Sequence, residues 1–387
     1  MEAKASSRLL SLDVLRGITI AGMILVNNPG SWGYIYAPLR HAEWNGLTPT
    51  DLIFPFFMFI MGISTFISLR KFNFEFSVPT LRKILKRTFV IFLIGLGLSW
   101  LGVSFGTYHG LAADNLGFWE RLGKSVTNFE HLRILGVMQR LALTYGITSL
   151  IAIFIKHKYI PYIIVVGLVG YFLLLLFGNG FATEGYNILA VTDQSILGLN
   201  HMYTEFGLDP EGILSTIPAV CHVLIGFYCG KILMETKDNQ QRMLHLFIIG
   251  AILTFAGFLL SYGCPINKKI WSPTFVLTTC GLGATFLSLL IWIIDVKGYK
   301  KWSVFFESFG VNPLFIYVLA GIMATIADGI HFDTNGVTTN PKSYLYNDLL
   351  QPVFGDYFGS LLFALLFVFI AWLVGNILYK KRIYIKI

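Results

Sequence analysis

Charge is what this sequence has least of. Asp, Glu, Lys and Arg make up only 13% of its 387 residues, against roughly 25% in an ordinary soluble domain. That leaves too little polar side chain to coat a water-facing surface, which argues against a soluble enzyme, a nucleic-acid binder and a disordered scaffold. Cysteine is scarce as well: Cys221, Cys229, Cys264 and Cys280 show no C-x-x-C spacing and three of them sit in apolar runs. Neither a disulfide framework nor a zinc site is indicated, and no metal is expected. No inverted internal repeat of the kind that marks many transporters is evident. A cleaved signal is not expected either, because the first apolar stretch contains Asp13 and Arg16 and no A-x-A-like site follows it.

What is present is apolar sequence, 55% hydrophobic and 16% aromatic, with a mean hydropathy of +0.67. A spanning helix needs about 20 mostly apolar residues. About ten segments meet or approach that test: 12–28, 51–69, 88–105, 136–155, 159–178, 213–234, 243–262, 274–294, 308–327 and 358–379. The third, fifth, seventh, eighth, ninth and tenth contain no Asp, Glu, Lys or Arg at all. The expected fold is therefore all-α, a polytopic membrane helix bundle of about ten spans forming a single transmembrane domain over 1–387 and embedded in lipid. With the N-terminus inside, the inner segments carry 20 of the 29 Lys and Arg and the outer segments 7. That bias predicts both termini in the cytoplasm and explains the net charge of +8 without an acidic ligand. Most outer connections are long, at about 29–50, 106–135, 179–212 and 328–357, and rich in Gly, Asn, Trp, Tyr and Asp. Loops of that length are usually functional or disordered, so the chemistry is expected on the outer face.

Three clusters could carry it. Asn27, Asn28, Arg40, His41, Glu43, Trp44, Asn45 and Asp51 surround the reversal between the first two spans. An imidazole there titrates near neutrality and can act as a base, so His41 is the first candidate; the alternative is an interfacial His-Trp anchor. In HLRILGVMQRLAL, Arg133 and Arg140 are seven residues apart, two helical turns, and with Gln139 could hold a phosphate or carboxylate. Arg133 could equally snorkel to the interface, whereas Arg140 within a span is expected to be buried. Asp209 and Glu211 precede the sixth span, either favouring its helix dipole or facing a hydroxylated or cationic ligand. Asn312-Pro313 interrupts the ninth span, where freed backbone groups either kink the helix or line a cavity. Asp13 and Arg16 are read as a structural ion pair, and His222 with Cys229 as ordinary bundle residues.

S-L-D-V-L-R-G, V-N-N, R-H-A-E-W-N-G-L-T-P-T-D-L-I-F-P-F-F-M-F-I-M-G, L-R-I-L-G-V-M-Q-R-L-A-L, L-D-P-E-G-I-L-S-T-I-P-A-V and I-N-K-K-I-W-S-P-T-F-V-L follow one another between Ser11 and about Leu277. In that order they resemble the heparan-alpha-glucosaminide N-acetyltransferase family of transmembrane acyltransferases. The resemblance implies transfer of acetyl from cytoplasmic acetyl-CoA, the co-substrate, to the amino group of a glucosamine-type sugar or glycan on the far side of the membrane. It implies that His41 is the active-site histidine and Asn27 the neighbouring asparagine. His41 would then serve as base or transient acetyl carrier, and Asn27 as a hydrogen-bond donor to the oxyanion. On this reading Arg133, Gln139 and Arg140 are assigned to acetyl-CoA, and Asn45, Asp51, Asp209, Glu211 and Asn312 to the acceptor. Whether Arg140 meets the pantetheine end of CoA or organises the acceptor site stays open. The absence of a luminal N-terminal region and extra span resembles the shorter bacterial members, which would sit in the cytoplasmic membrane. A homodimer is compatible with the resemblance, although the sequence itself shows no interface. Competing readings are a membrane O-acyltransferase of an envelope glycan, using the same histidine, and a secondary transporter.

Overall fold

A computed structural model describes residues 9–114, 116–334 and 336–385. Lys4, Arg8 and Lys386, counted above among the inner charges, lie outside the described residues. Among the described residues, nine helices are long and apolar enough to cross a membrane, and one further pair could supply a bent tenth crossing. The helices used below are α1 (Leu10–Asn27), α2 (Pro49–Arg70), α3 (Val78–Gly110), α4 (Phe118–Val126), α5 (Val137–Phe154), α6 (Ile160–Phe177), α7 (Ile188–Leu197), α8 (Thr216–Glu235), α9 (Asn239–Leu260), α10 (Pro273–Leu290), α11 (Val304–Gly310) and α12 (Pro313–Gly329). A last long helix covers Asp356–Lys380.

Burial sorts them into two groups. The most apolar windows of α1, α2, α5, α8 and α10 are 61 to 72% buried, whereas those of α3, α6, α9 and the last helix are only 17 to 33% buried. The first group forms the packed centre and the second a ring whose outward face meets lipid, with no need for the amphipathic stripe of a soluble helix. Close approach at the centre depends on small residues. A Cβ on Gly17 would lie 1.8 Å from the Phe306 carbonyl oxygen, and one on Gly310 would lie 1.9 Å from that of Asp13, so α1 and α11 touch backbone to backbone.

The ninth expected span is a broken one. Lys301–Gly310 and Pro313–Gly329 meet at 73° around Asn312, because Pro313 lacks the N–H that a continuous helix needs. The loops are also more structured than their composition suggests. α4 lies within 106–135 and α7 within 179–212, and a short antiparallel hairpin pairs Phe332–Thr334 with Val337–Thr339.

Candidate active site

The turn into α2 builds the centre of the site. Thr48 precedes the helix, Pro49 opens it, and Asp51 reaches back to cap it: Asp51 Oδ2 accepts from the Thr48 N–H at 3.1 Å. The same oxygen accepts from the Ala42 N–H at 3.1 Å, which pulls the preceding loop onto the helix start. The Thr48 hydroxyl lies 2.9 Å from it and 2.7 Å from the Arg40 carbonyl oxygen, and gives its single proton to one of them. The other carboxylate oxygen, Oδ1, sits 2.6 Å from Nδ1 of His41. Asp51 is fully buried, while the His41 side chain is 41% exposed. An ionised carboxylate at that distance requires a proton on Nδ1, so in the neutral ring the opposite nitrogen, Nε2, holds the free lone pair.

That cleft, about 520 Å³, is lined by Asn27, Trp32, His41, Glu43, Arg133, Tyr203, Glu211 and Lys268, among others. The loop before α10 closes one side of it: the Gly46 N–H donates to the Ile266 carbonyl at 2.8 Å, and Asn267 Nδ2 donates to Asn45 Oδ1 at 3.1 Å. Lys268 is thereby held with Nζ 3.4 Å from Asp51 Oδ1.

On the opposite wall, Arg133 donates from Nε (3.1 Å) and Nη2 (2.6 Å) to the two oxygens of Asp209, and from Nη2 to Glu211 at 2.6 Å. Burial alone would lower the Arg133 guanidinium, but Glu211 and Asp209 hold it above its ordinary value. Burial likewise would raise the Glu211 carboxyl, and the Arg133 and Arg140 cations hold it below the usual range. Asp209 is further fixed by the N–H groups of Tyr203 (2.8 Å) and Glu211 (2.9 Å). These acids do not occupy the first turn of the sixth span, which begins only at Thr216. They clamp an arginine instead.

Asp193 on α7 supports that clamp from behind, accepting from the N–H groups of Ile213 (2.9 Å) and Asp209 (3.2 Å). Burial pushes its carboxyl up to about 6. An unfolded-chain aspartate titrates near ~3.9. Between those values the folded protein holds a proton that the unfolded chain has lost, so stability falls as pH rises through that window. The full effect is ~2–3 kcal/mol, at about 1.4 kcal/mol per pH unit. Asp193→Asn cannot titrate, so the wild-type melting temperature is expected to drop relative to that of the variant between about pH 4 and pH 7 in detergent. Parallel melting curves at both pH values would contradict this.

Several residues assigned from the sequence stand elsewhere. Asp51 is not open to an acceptor, because it is buried and engaged by its own turn. Arg133 precedes α5 in a non-helical segment, so it and Arg140 do not share a helical face. Arg140 is buried behind the cleft wall, bonded to Ser215 Oγ and the Gly212 carbonyl, with its guanidinium 5.0 Å from the Trp271 ring. Gln139 is buried against Gly95 of α3. Asn312 sits at the α11–α12 break, bonding Ile383 O and Ile385 N–H at 2.8 Å each, and does not line the cleft. Asp13 does pair with Arg16, at 3.1 Å. His222 bonds the Pro55 carbonyl at 2.9 Å, and among the described residues no cluster of His, Cys, Asp and Glu is arranged to hold a metal.

A second cavity, about 380 Å³, opens toward the other end of the bundle. Arg16, Ser64, Ser68, Lys83 and Arg87 supply its polar wall. Arg16 donates to Ser64 Oγ at 2.8 Å, and the buried Arg87 Nε has no hydrogen-bond partner. The two cavities converge on α5: Val137 lines the His41 cleft and Leu141 the basic cavity. These residues are one helical turn apart on a common face.

Residues 8–262 match the family described as heparan-alpha-glucosaminide N-acetyltransferase, catalytic. The mouse heparan-alpha-glucosaminide N-acetyltransferase is 28% identical over 378 residues, covering 81% of this chain and 53% of the mouse protein. The human protein of the same name is 28% identical over 376 residues, covering 80% of this chain and 52% of its own length. The chain thus spans about half the length of the curated relatives it matches.

Proposed function

The chain belongs to the heparan-alpha-glucosaminide N-acetyltransferase family, and from that premise we propose that it is a transmembrane acetyltransferase moving acetyl from acetyl-CoA to the amino group of a glucosamine-type sugar. The observation that carries the reading is His41, backed by buried Asp51, in a cleft that shares α5 with a basic cavity one helical turn away.

Each cavity suits one substrate. The phosphates of CoA match the cationic side chains of Arg16, Lys83 and Arg87. The lining residues of α2 run from Phe57 to Ser68. The near end is therefore six residues from Asp51, about 9 Å at 1.5 Å per residue. A pantetheine arm threaded along this path brings its thioester toward His41 without requiring Arg140 or Gln139 as ligands. The sugar occupies the His41 cleft, beside Asn27, Glu43 and Glu211. The orientation follows the positive-inside rule, with the basic cavity cytoplasmic and the His41 cleft outside, and the whole chain works as one transmembrane unit in a bacterial cytoplasmic membrane.

In the reaction the acceptor nitrogen attacks the thioester carbonyl carbon while Nε2 of His41 takes the proton that this nitrogen loses. Asn27 donates to the oxygen on which charge develops. The intermediate collapses as the carbon–sulfur bond breaks, and the imidazolium returns its proton to the departing thiolate. The Asp51 carboxylate keeps Nδ1 protonated throughout and stabilises the transient imidazolium.

The test is transfer of labelled acetyl from acetyl-CoA by purified protein, offered glucosamine beside sugars bearing only hydroxyls. Label on glucosamine alone is the expected result. Label on the hydroxyl sugars alone would replace this reading with an O-acyltransferase, and failure to use acetyl-CoA with any acceptor would remove the enzyme reading.

A further inference from the structure

His41 and Asp51 form a pair with an unequal balance of charge. A fully buried carboxylate 2.6 Å from the imidazole favours the imidazolium. A histidine protonated before substrate arrives cannot accept a proton. Something must offset Asp51 if His41 is to rest as a neutral base.

Resting on the acetyltransfer reading, we propose that Lys268 is a positioning residue whose ammonium offsets the Asp51 carboxylate and so keeps His41 neutral. Its Nζ lies 3.4 Å from Asp51 Oδ1 and 3.1 Å from His41 Nδ1. Nδ1 carries the proton given to Asp51, so the contact with the ring is not a second hydrogen bond. The lysine donates to Oδ1 and places its positive charge beside the ring. Both effects work against a second positive charge on the imidazole. The Lys268 side chain is only 18% exposed and that of Asp51 1%, so the attraction between these two is screened little. Burial pulls the Lys268 ammonium below the ordinary lysine value while Asp51 pushes it back up.

Of the other charged groups of the cleft, the Glu211 carboxylate also bears on the Lys268 ammonium, and the rest are engaged elsewhere or stand at the rim. Arg133 holds Asp209 and Glu211, Lys269 is paired with Glu205, and Arg40 Nε donates to the Ile35 carbonyl at 2.8 Å. Glu43 is exposed at the edge. Among the described residues, Lys268 is the cation whose contacts reach both members of the pair. Its position is a product of the fold, since the bonds from Gly46 to Ile266 and from Asn267 to Asn45 fix the loop that carries it.

The experiment reads His41 directly, without turnover. Protein labelled with ¹⁵N-histidine is titrated by NMR in detergent, and His41 is identified by the signal lost in His41→Gln. Lys268→Met is expected to raise the His41 midpoint by about one pH unit or more, because the carboxylate is then unopposed. Lys268→Arg, which keeps the charge, stays near wild type. Where acetyl transfer is measurable, the acid limb of kcat/KM moves to higher pH by the same amount in Lys268→Met. A midpoint in Lys268→Met that is unchanged or lower overturns the proposal, and Lys268→Gln carries the same test if the methionine variant does not fold. Wild-type protein that titrates as described but transfers no acetyl would defeat the acetyltransfer reading and leave the charge balance standing.

Discussion

Given labelled acetyl-CoA and glucosamine, His41→Ala is expected to transfer acetyl ~10²- to 10⁴-fold more slowly than wild type, the range that loss of a positioned general base produces. The loss is chemical and not structural. His41 packs on no core, with 41% of its side chain exposed, and Asp51 keeps its bonds to the Ala42 and Thr48 N–H groups without it. The melting temperature should therefore stay close to wild type. Acetyl-CoA affinity should also hold, because the cationic groups proposed to bind its phosphates line the other cavity. A fall in rate with both of those unchanged assigns the loss to proton transfer. An unchanged rate would remove His41 from the mechanism, and a fall in affinity of similar size would place the thioester, and not the base, at fault.

The helices were legible in the sequence because membrane burial is written in hydropathy. Ten apolar segments were expected, and nine single helices plus one broken pair are found among the described residues. The 73° break itself was signalled only by Asn312-Pro313, since hydropathy counts residues and is blind to direction. The site was harder to read, for reasons of spacing. His41 and Asp51 are ten residues apart across a turn, a separation with no helical or strand period behind it. Asp51 therefore reads as one more polar residue near the acceptor. Its local signature was present in T-P-T-D, where a threonine followed three residues later by an acid marks a capped helix start. Such a cap pins a carboxylate beside the loop that precedes it. Lys268 is 227 residues from His41 in the chain, and nothing local connects them. Arg133 and the acids it binds stand out separately in the sequence, but their pairing depends on a non-helical segment that the two-turn spacing to Arg140 obscures.

That cap makes Asp51→Asn the most informative single substitution, with an expected fall in acetyl transfer of ~10³- to 10⁴-fold. A histidine held by a buried aspartate loses about that much when an asparagine imposes the wrong tautomer. The local bonds dictate how the amide must sit. The Ala42 and Thr48 N–H groups both point at the position of Oδ2, so the single amide oxygen takes that place and the NH₂ replaces Oδ1. The amide then donates to Nδ1 of His41, which must surrender its proton and accept. Lys268 Nζ, 3.1 Å from the same nitrogen, reinforces the change, because with the carboxylate gone its best acceptor there is the bare Nδ1. Whichever neighbour donates to the single Nδ1 lone pair, the imidazole proton is driven onto Nε2, the atom that has to be empty to receive one. The helix cap survives through the amide oxygen, so melting temperature and acetyl-CoA binding should remain near wild type while turnover collapses, and ¹⁵N chemical shifts should report the Nε2–H tautomer in place of Nδ1–H. An Asp51→Asn protein that shows the switched tautomer yet turns over at the wild-type rate would mean that Nε2 of His41 takes no proton in the reaction.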